Sequence, residues 1–148
     1  MPNLQTHRTD LALLLIRCVV GVSFLLHGLD KLGDLDGTEQ FFDGLGIPAP
    51  GLMAPFVAVL ETVGGIGLIA GLITPIWALM LAGDMLVAGL TQHADKGFFA
   101  QDGGYELVLL LGVACAGLTL AGAGRFSLDA AARLGERLPG RRGLTPAR

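Results

Sequence analysis

The sequence predicts an all-α membrane protein, a bundle of four transmembrane helices with both termini in the cytoplasm. Of its 148 residues 52% are hydrophobic and only 16% are charged, whereas a soluble domain carries about 25% charged residues. The mean hydropathy is +0.63. Four apolar segments approach the roughly 20 residues that a helix needs to cross a bilayer. The length suits a single integral membrane domain over residues 1–148.

The predicted spans are residues 11–29, 52–72, 75–91 and 104–124. The first apolar run is longer than that of a typical signal peptide, and no small-x-small cleavage site follows it, so we expect this span to be retained. The second and third spans nearly touch and predict a tight helical hairpin. Pro75 stands where proline suits a first helical turn.

The basic residues outside the spans predict the orientation, because cytoplasmic loops of membrane proteins are enriched in Lys and Arg. On the side of the termini lie seven arginines: Arg8, Arg125, Arg133, Arg137, Arg141, Arg142 and Arg148. The opposite side has only Lys31 and Lys96. The basic tail 125–148 is therefore predicted to be cytoplasmic, and residues 127–138 to form an amphipathic helix on the inner leaflet.

The charge balance excludes one class of partner. A net charge of −3 does not suit a protein that binds nucleic acid in bulk, which requires a basic surface. The partner predicted directly by composition is the lipid bilayer.

Three ionisable residues lie inside the predicted spans: Arg17, Glu61 and Asp84. Such residues cost several kcal/mol unless they are paired or hydrated, and each is a functional candidate. One cation cannot fully neutralise two acids, which leaves one carboxyl to hold a proton or meet a ligand. Two interpretations stay open and can coexist, a structural Arg17–Glu61 pair that sets helix register and a functional polar interior.

A second group is predicted near the outer boundary. We expect His27 and Glu106 to face a cavity that opens outward, with Lys31 and His93 at its rim. Imidazole and carboxyl groups exchange protons near neutral pH, which favours a proton-exchanging or quinone head-group site. The alternative for His27 is an interfacial hydrogen bond to a carbonyl.

The remaining candidate chemistry is not favoured by spacing. No HxxxH or HxxE spacing accompanies these side chains, so we predict no metal site. Cys18 and Cys115 form no CxxC motif and are expected to be small buried apolar residues.

Several motifs, taken in order, resemble the DoxX family. Arg17, Gly21 and Phe24 are followed by HGxxKL at residues 27–32 and by GLGIPAP at 44–50. Further matches are listed by position: ETVGGIGLIAGLITP at 61–75, HADKGFF at 93–99, GGYEL at 103–107 and GAGRFSLD from residue 122. Asp84 lies outside this pattern.

The resemblance implies a small four-helix protein of the bacterial inner membrane. The family takes its name from a subunit linked to quinol oxidase or thiosulfate:quinone oxidoreductase systems, and its members are often labelled oxidoreductases. The motifs carry over to Arg17, His27, Lys31, Glu61 and Glu106 as site residues. No cofactor-binding motif is evident, and quinone is the ligand that the resemblance implies.

The sequence therefore favours a redox-associated membrane subunit that works beside a redox-enzyme partner. The alternatives are a non-enzymatic carrier of protons or a small molecule, and a membrane assembly scaffold whose polar pairs only set packing. Four short helices leave much lipid-facing surface, so a homodimer is a further expectation.

Overall fold

The computed structural model describes residues 4–137, and all regular structure in that range is helical. The six α-helices are α1 (Leu4–Gly33), α2 (Leu35–Gly44), α3 (Pro50–Ala70), α4 (Thr74–Ala88), α5 (Glu106–Ala121) and α6 (Leu128–Arg137). A π-helical turn, Gly89–His93, continues α4, and short 3-10 turns occupy Ala94–Lys96 and Ala100–Asp102.

Three helical segments are long and apolar enough to cross a membrane, Thr6–Gly33, Pro50–Ala70 and Thr74–Lys96, and the shorter apolar helix Glu106–Ala121 accompanies them. Each of these four segments overlaps one predicted span, although their ends differ from the predicted ones. The first helix begins well before the predicted boundary at residue 11, because polar residues at its start continue the helix.

One helix between the first two predicted spans was missed. No helix was predicted between residues 29 and 52, but α2 forms there. Asp34 is the N-cap of this helix, and its side chain accepts a hydrogen bond from the backbone N–H of Gly37 at 2.9 Å. Phe42 anchors α2 because its ring is buried. The amphipathic tail helix was predicted correctly as α6, although its expected last residue, Leu138, lies outside the described residues.

Glycines set the distance between α1 and α3, which pack antiparallel along their length. A Cβ on Gly21 would lie 2.7 Å from the Gly65 carbonyl oxygen, and a Cβ on Gly28 would lie 2.4 Å from the Thr62 hydroxyl. Such distances leave no room for a side chain, so the two backbones approach as closely as small residues permit in membranes.

The hairpin between α3 and α4 turns on two left-handed residues. Gly71 ends α3 with φ 69°, and Ile73 precedes α4 with φ 52°. Helix α3 therefore stops at Ala70, two residues before the predicted end at residue 72. Gly67 leaves space for the Trp77 ring, since a Cβ there would lie 2.5 Å from it.

The core lies where α1, α3, α4 and α5 meet, and α4 packs along α5 as α1 does along α3. It consists of Val20, Phe24, Leu60, Leu68, Ala78, Leu81, Met85, Leu111, Cys115 and Leu118. The outer faces carry exposed large apolar side chains such as Val19, Leu52 and Leu120. This arrangement keeps the ionisable residues of the spans, such as Arg17 and Glu61, inside the bundle, and it turns further apolar side chains outward, as a bilayer requires.

Candidate functional site

A cavity of about 540 Å³ opens at the end of the bundle where α1 ends and α3 begins. Helix α2 and the π-helical turn form two of its walls. Its titratable lining residues are His27, Asp30, Lys31, Asp34, Glu61, Asp84 and His93. Its aromatic lining residues are Phe24, Phe41 and Phe42. The volume lies within the range of small-molecule sites, about 300–1,000 Å³.

An ion pair lies at the inner end of this cavity. Lys31 Nζ donates to Glu61 Oε2 at 2.6 Å, and the side chains are 24% and 4% exposed. The Glu61 carboxylate is therefore almost fully removed from solvent, whereas the lysine ammonium keeps contact with the cavity. A short charge-assisted bond of this kind is among the strong hydrogen bonds of proteins.

The direction of the side chains explains why Lys31 meets Glu61. In a helix the Cα–Cβ bonds tilt toward the helix N-terminus. Because α1 and α3 are antiparallel, Lys31 extends back along α1 while Glu61 extends the opposite way, and the two charges converge. The close contact of Gly28 with Thr62 brings the two helices together at this level.

A second carboxyl adjoins the pair. Asp84, on α4, lies close enough to Glu61 for the two carboxyls to interact electrostatically, and both line the cavity. Its Oδ2 atom is buried and has no hydrogen-bond partner. Gly64 allows this approach, because Leu81 of α4 packs directly over the glycine, one turn before Asp84. The cluster thus holds two carboxyls and one ammonium, and a proton or a cationic or hydrogen-donating ligand would balance the second carboxyl.

The two predicted histidines line the cavity nearer its mouth. His27 lies on α1, exposed and one turn before Lys31. The His93 ring is held in place, because its Nδ1 lies 2.6 Å from the Gly103 carbonyl oxygen. That contact makes Nδ1 the donor to the carbonyl and leaves Nε2 of His93 as the ring nitrogen for other partners.

The expected Arg17–Glu61 pair was wrong. Arg17 lies at the other end of the bundle, because its Nη1 would be 2.6 Å from a Cβ on Gly71 at the hairpin turn. Arg17 is also 14 residues from Lys31, roughly 21 Å along the helix. Its side chain tilts toward the start of α1, away from Glu61.

Arg17 binds the segment that follows α5 instead. Its Nη1 donates to the carbonyl oxygen of Ala123, and its Nη2 to that of Phe126 at 2.6 Å. Only 1% of Arg17 is exposed. Two backbone carbonyl oxygens thus accept from the guanidinium, whereas its buried Nε has no hydrogen-bond partner among the described residues. Through these two bonds Arg17 holds the segment after α5 against α1.

Further hydrogen bonds hold the segment after α5 against the rest of the bundle. Asp129 Oδ1 accepts from the backbone N–H of Ile73 at 3.1 Å, and the Asp129 N–H donates to the Gly71 carbonyl. Asp10 Oδ1 accepts from the Arg125 N–H at 3.0 Å. These bonds tie residues 122–129, which include the GAGRFSLD motif, to the hairpin turn and to the start of α1.

Glu106 does not share the cavity with His27, contrary to expectation. It is the first residue of α5, and its Oε2 accepts from the backbone N–H of Ala100 at 3.0 Å. This bond closes the loop that precedes α5. A carboxylate there also suits the positive end of the helix dipole.

Neither cysteine lines this cavity. Cys18 and Cys115 are both free; Cys115 is buried in the core as expected, whereas Cys18 is only half-buried. Within residues 4–137 no group of three or more His, Cys, Asp or Glu residues is placed to hold a metal ion.

Sequence reasoning underrated Asp84 and missed the contribution of α2. The signal for Asp84 was present, since it is an ionisable residue in the middle of an apolar span and directly follows Gly83. The contact of Lys31 with Glu61 could have been predicted from the direction in which the Lys31 side chain points along its helix, a property that hydropathy does not report.

The DoxX family model matches residues 12–94 of the chain. A putative oxidoreductase, CatD of Bacillus subtilis, is 32% identical over 81% of this chain and 86% of its own length. Inner membrane protein YqjF of Escherichia coli is 30% identical over 81% of this chain and 91% of its own length. An uncharacterized protein of Haemophilus influenzae is 36% identical over 87% of this chain and 96% of its own length. No solved structure matches the chain significantly.

Proposed function

The chain belongs to the DoxX family, and from this premise we propose that it is a redox-associated membrane subunit whose cavity binds a quinone head group. It is a multi-pass protein of the bacterial inner membrane. The observation that carries the proposal is the cluster of Lys31, Glu61 and Asp84 at the inner end of a cavity whose walls carry both aromatic and polar side chains.

The residues present fit a quinone. Lys31 and His27 are hydrogen-bond donors that can reach a carbonyl oxygen at the cavity end of the ligand. The unpartnered Oδ2 of Asp84 accepts a hydrogen bond from a hydroxyl or a proton. Phe24, Phe41 and Phe42 offer the apolar surface that a ring requires.

A bound quinone supplies two-electron redox chemistry, with the electrons exchanged with a partner redox enzyme. The chain itself contributes binding, orientation and protons. The Glu61–Asp84 pair would hold a proton for a quinone carbonyl oxygen, and Lys31 would neutralise the negative charge that remains. His27 and His93 connect this cluster to the mouth of the cavity.

We also propose a topology of four spans with both termini in the cytoplasm, in a single domain. Helix α5 has 16 residues, which span roughly 24 Å, and Gly104 and Tyr105 precede it. The antiparallel packing of α1 with α3, and of α4 with α5, supports alternating spans. The excess of arginine beside the termini supports the orientation. The cavity then opens toward the periplasm.

The first experiment is native mass spectrometry with an absorption spectrum on protein purified gently from membranes. We expect a bound quinone in the wild type that is lost in Glu61→Gln and in Asp84→Asn. Glu39→Gln is the matched control, because Glu39 is exposed on α2 and outside the cavity lining. Protein that carries no quinone and binds none when it is added would overturn the proposal.

One observation favours a second candidate, a carrier of protons or a small cation. The orphaned Oδ2 of Asp84 beside Glu61 is the kind of intramembrane carboxyl found on proton paths. Proton or cation flux into liposomes, abolished by Asp84→Asn while no quinone binds, would favour the carrier. Co-purification of a redox enzyme without any ligand would favour the scaffold or accessory role. A homodimer is a further proposal, tested by the mass of the complex.

A further inference from the structure

A second cavity lies on the outside of the bundle, in the groove between α4 and α5. It has a volume of about 540 Å³ and is lined almost entirely by apolar residues. Its walls include Leu86, Leu90, Leu109, Val113 and Ala116, all exposed on the outer surface. From Tyr105 to Ala116 the groove extends roughly 16 Å along α5.

This groove adjoins the polar cavity. Met85 and Val108 line both spaces, so these two side chains are the partition between them. Met85 is 8% exposed, and methionine is a flexible side chain that adapts to its neighbours.

The π-helical turn Gly89–His93 forms a second shared wall. Gly89 and Leu90 line the groove, whereas Thr91, Gln92 and His93 line the polar cavity. A π turn carries one extra residue per turn and occurs frequently at functional sites. The groove has free space beside Gly89, because a Cβ there would meet only Val108, at 3.6 Å.

A polar cavity beside an apolar groove fits an amphiphile with a compact polar head and one extended apolar chain. We propose that the α4–α5 groove holds the isoprenoid tail of a lipid quinone whose head group lies in the polar cavity. This inference rests on the proposed function and names the class of its ligand, a membrane quinone with a tail rather than a soluble one. The ligand enters sideways from the bilayer, since the groove faces the lipid.

The experiment compares two probes, a quinone without a tail and the same ring with four isoprene units. Dissociation constants are measured in lipid nanodiscs, with concentrations expressed per lipid. Ala116→Phe fills the groove, and Val113→Phe fills it from one turn earlier if the first variant does not fold. The control is Ala12→Phe, because Ala12 is exposed on α1 and lies outside both cavities.

We expect wild-type protein to bind the tailed quinone at least about tenfold more tightly, because the tail exchanges mobile lipid neighbours for close van der Waals contact with the fixed walls of the groove. Filling the groove removes that advantage and leaves the tailless quinone unaffected, and Ala12→Phe changes neither value. Equal affinity of the two probes for wild type, with binding of both lost in Glu61→Gln, overturns the tail site alone. Failure of both probes to bind overturns the proposed function as well.

Two other occupants are separate outcomes. A phospholipid that co-purifies with wild type and is missing from Ala116→Phe, without any effect of the quinone tail, assigns the groove to a phospholipid chain and overturns the inference. Conversion of a dimer to a monomer by Ala116→Phe assigns it to a second copy, with the same consequence.

Discussion

Lys31 and Glu61 are separated by 30 residues in the chain, yet their side chains form a 2.6 Å ion pair at the inner end of the cavity. This pair joins α1 to α3 at the level where Gly28 brings the helices into contact. It also leaves Asp84 as a second carboxyl without a cation of its own. Both the stability of the bundle and the chemistry of the cavity depend on this arrangement.

Replacing Glu61 by Gln is expected to lower the free energy of unfolding by about 2 kcal/mol, because the Lys31 ammonium loses its charged partner in a largely buried site. Thermal unfolding in nanodiscs measures the effect, with Glu39→Gln as the exposed control. The double variant Lys31→Gln, Glu61→Gln should recover part of the loss. Equal melting temperatures for Glu61→Gln and wild type would show that the ion pair does not hold the helices together.

Arg17→Lys is expected to loosen the segment after α5, because one ammonium cannot reproduce the planar fork that serves both Ala123 and Phe126. Trypsin should then cleave after Arg125 faster than in wild type. His7→Lys serves as a control that adds a basic residue nearby without removing the guanidinium. Unchanged cleavage at Arg125 would contradict the fastening role.

The double variant Arg17→Glu, Glu61→Arg, in which the two charges are exchanged, should lose both quinone binding and stability. The two residues lie at opposite ends of the α1–α3 contact, so each reversed charge would face the wrong neighbours: carbonyl oxygens at residue 17, and Lys31 at residue 61. Quinone binding and the melting temperature measure the outcome. A double variant that matches wild type in both would revive the direct pair.

Gly28→Ala is expected to destabilise the protein by about 1–3 kcal/mol, as overpacking does. The new methyl group would lie 2.5 Å from the Thr62 nitrogen and 2.9 Å from the Ala58 oxygen, both backbone atoms that cannot swing away. Gly117→Ala is the matched control, since a Cβ there meets nothing within 4 Å. The control should be neutral or more stable, because alanine favours helix interiors. Similar melting temperatures for both variants would argue against tight α1–α3 packing.

Ile73→Gly is expected to stabilise the hairpin between α3 and α4 by roughly 1 kcal/mol. Ile73 has φ 52°, a left-handed conformation that costs a β-branched residue about 1–2 kcal/mol. Its side chain is 47% exposed, so little packing is lost. The melting temperature tests this directly, and Ile76→Gly, inside α4, should destabilise instead. A lower melting temperature for Ile73→Gly would indicate that the isoleucine packing outweighs its backbone strain.

The family and the helical character of the chain were predictable, because they follow from local properties. Apolar run length and the low share of charge specify membrane helices, and the ordered motifs from Arg17 to the GAGRFSLD segment specify the family. The tail helix was predictable from its amphipathic pattern. Helix α2 was not predictable, because it depends on the capping side chain of Asp34 and on the Phe42 ring, which is buried only by tertiary contact.

The partners of the polar residues needed the tertiary structure. The positions of Arg17 and Glu61 within apolar spans allowed a direct pair, but the side-chain tilt of the antiparallel helices α1 and α3 brings Lys31 to Glu61 instead. Glu106 was expected in the cavity, but its carboxylate accepts a hydrogen bond from the backbone N–H of Ala100 in the preceding loop. Hydropathy does not report which way a side chain at the start of a helix points.

The sequence by itself determined which residues are polar within the membrane and which helices they belong to, because hydropathy and helical period are properties of single segments. Which polar groups meet was decided by the tertiary structure alone. Helix register, the close approach allowed at Gly28 and Gly64, and the direction of each side chain are relations between segments that lie far apart in the chain, and these relations place Lys31, Glu61 and Asp84 in one cavity.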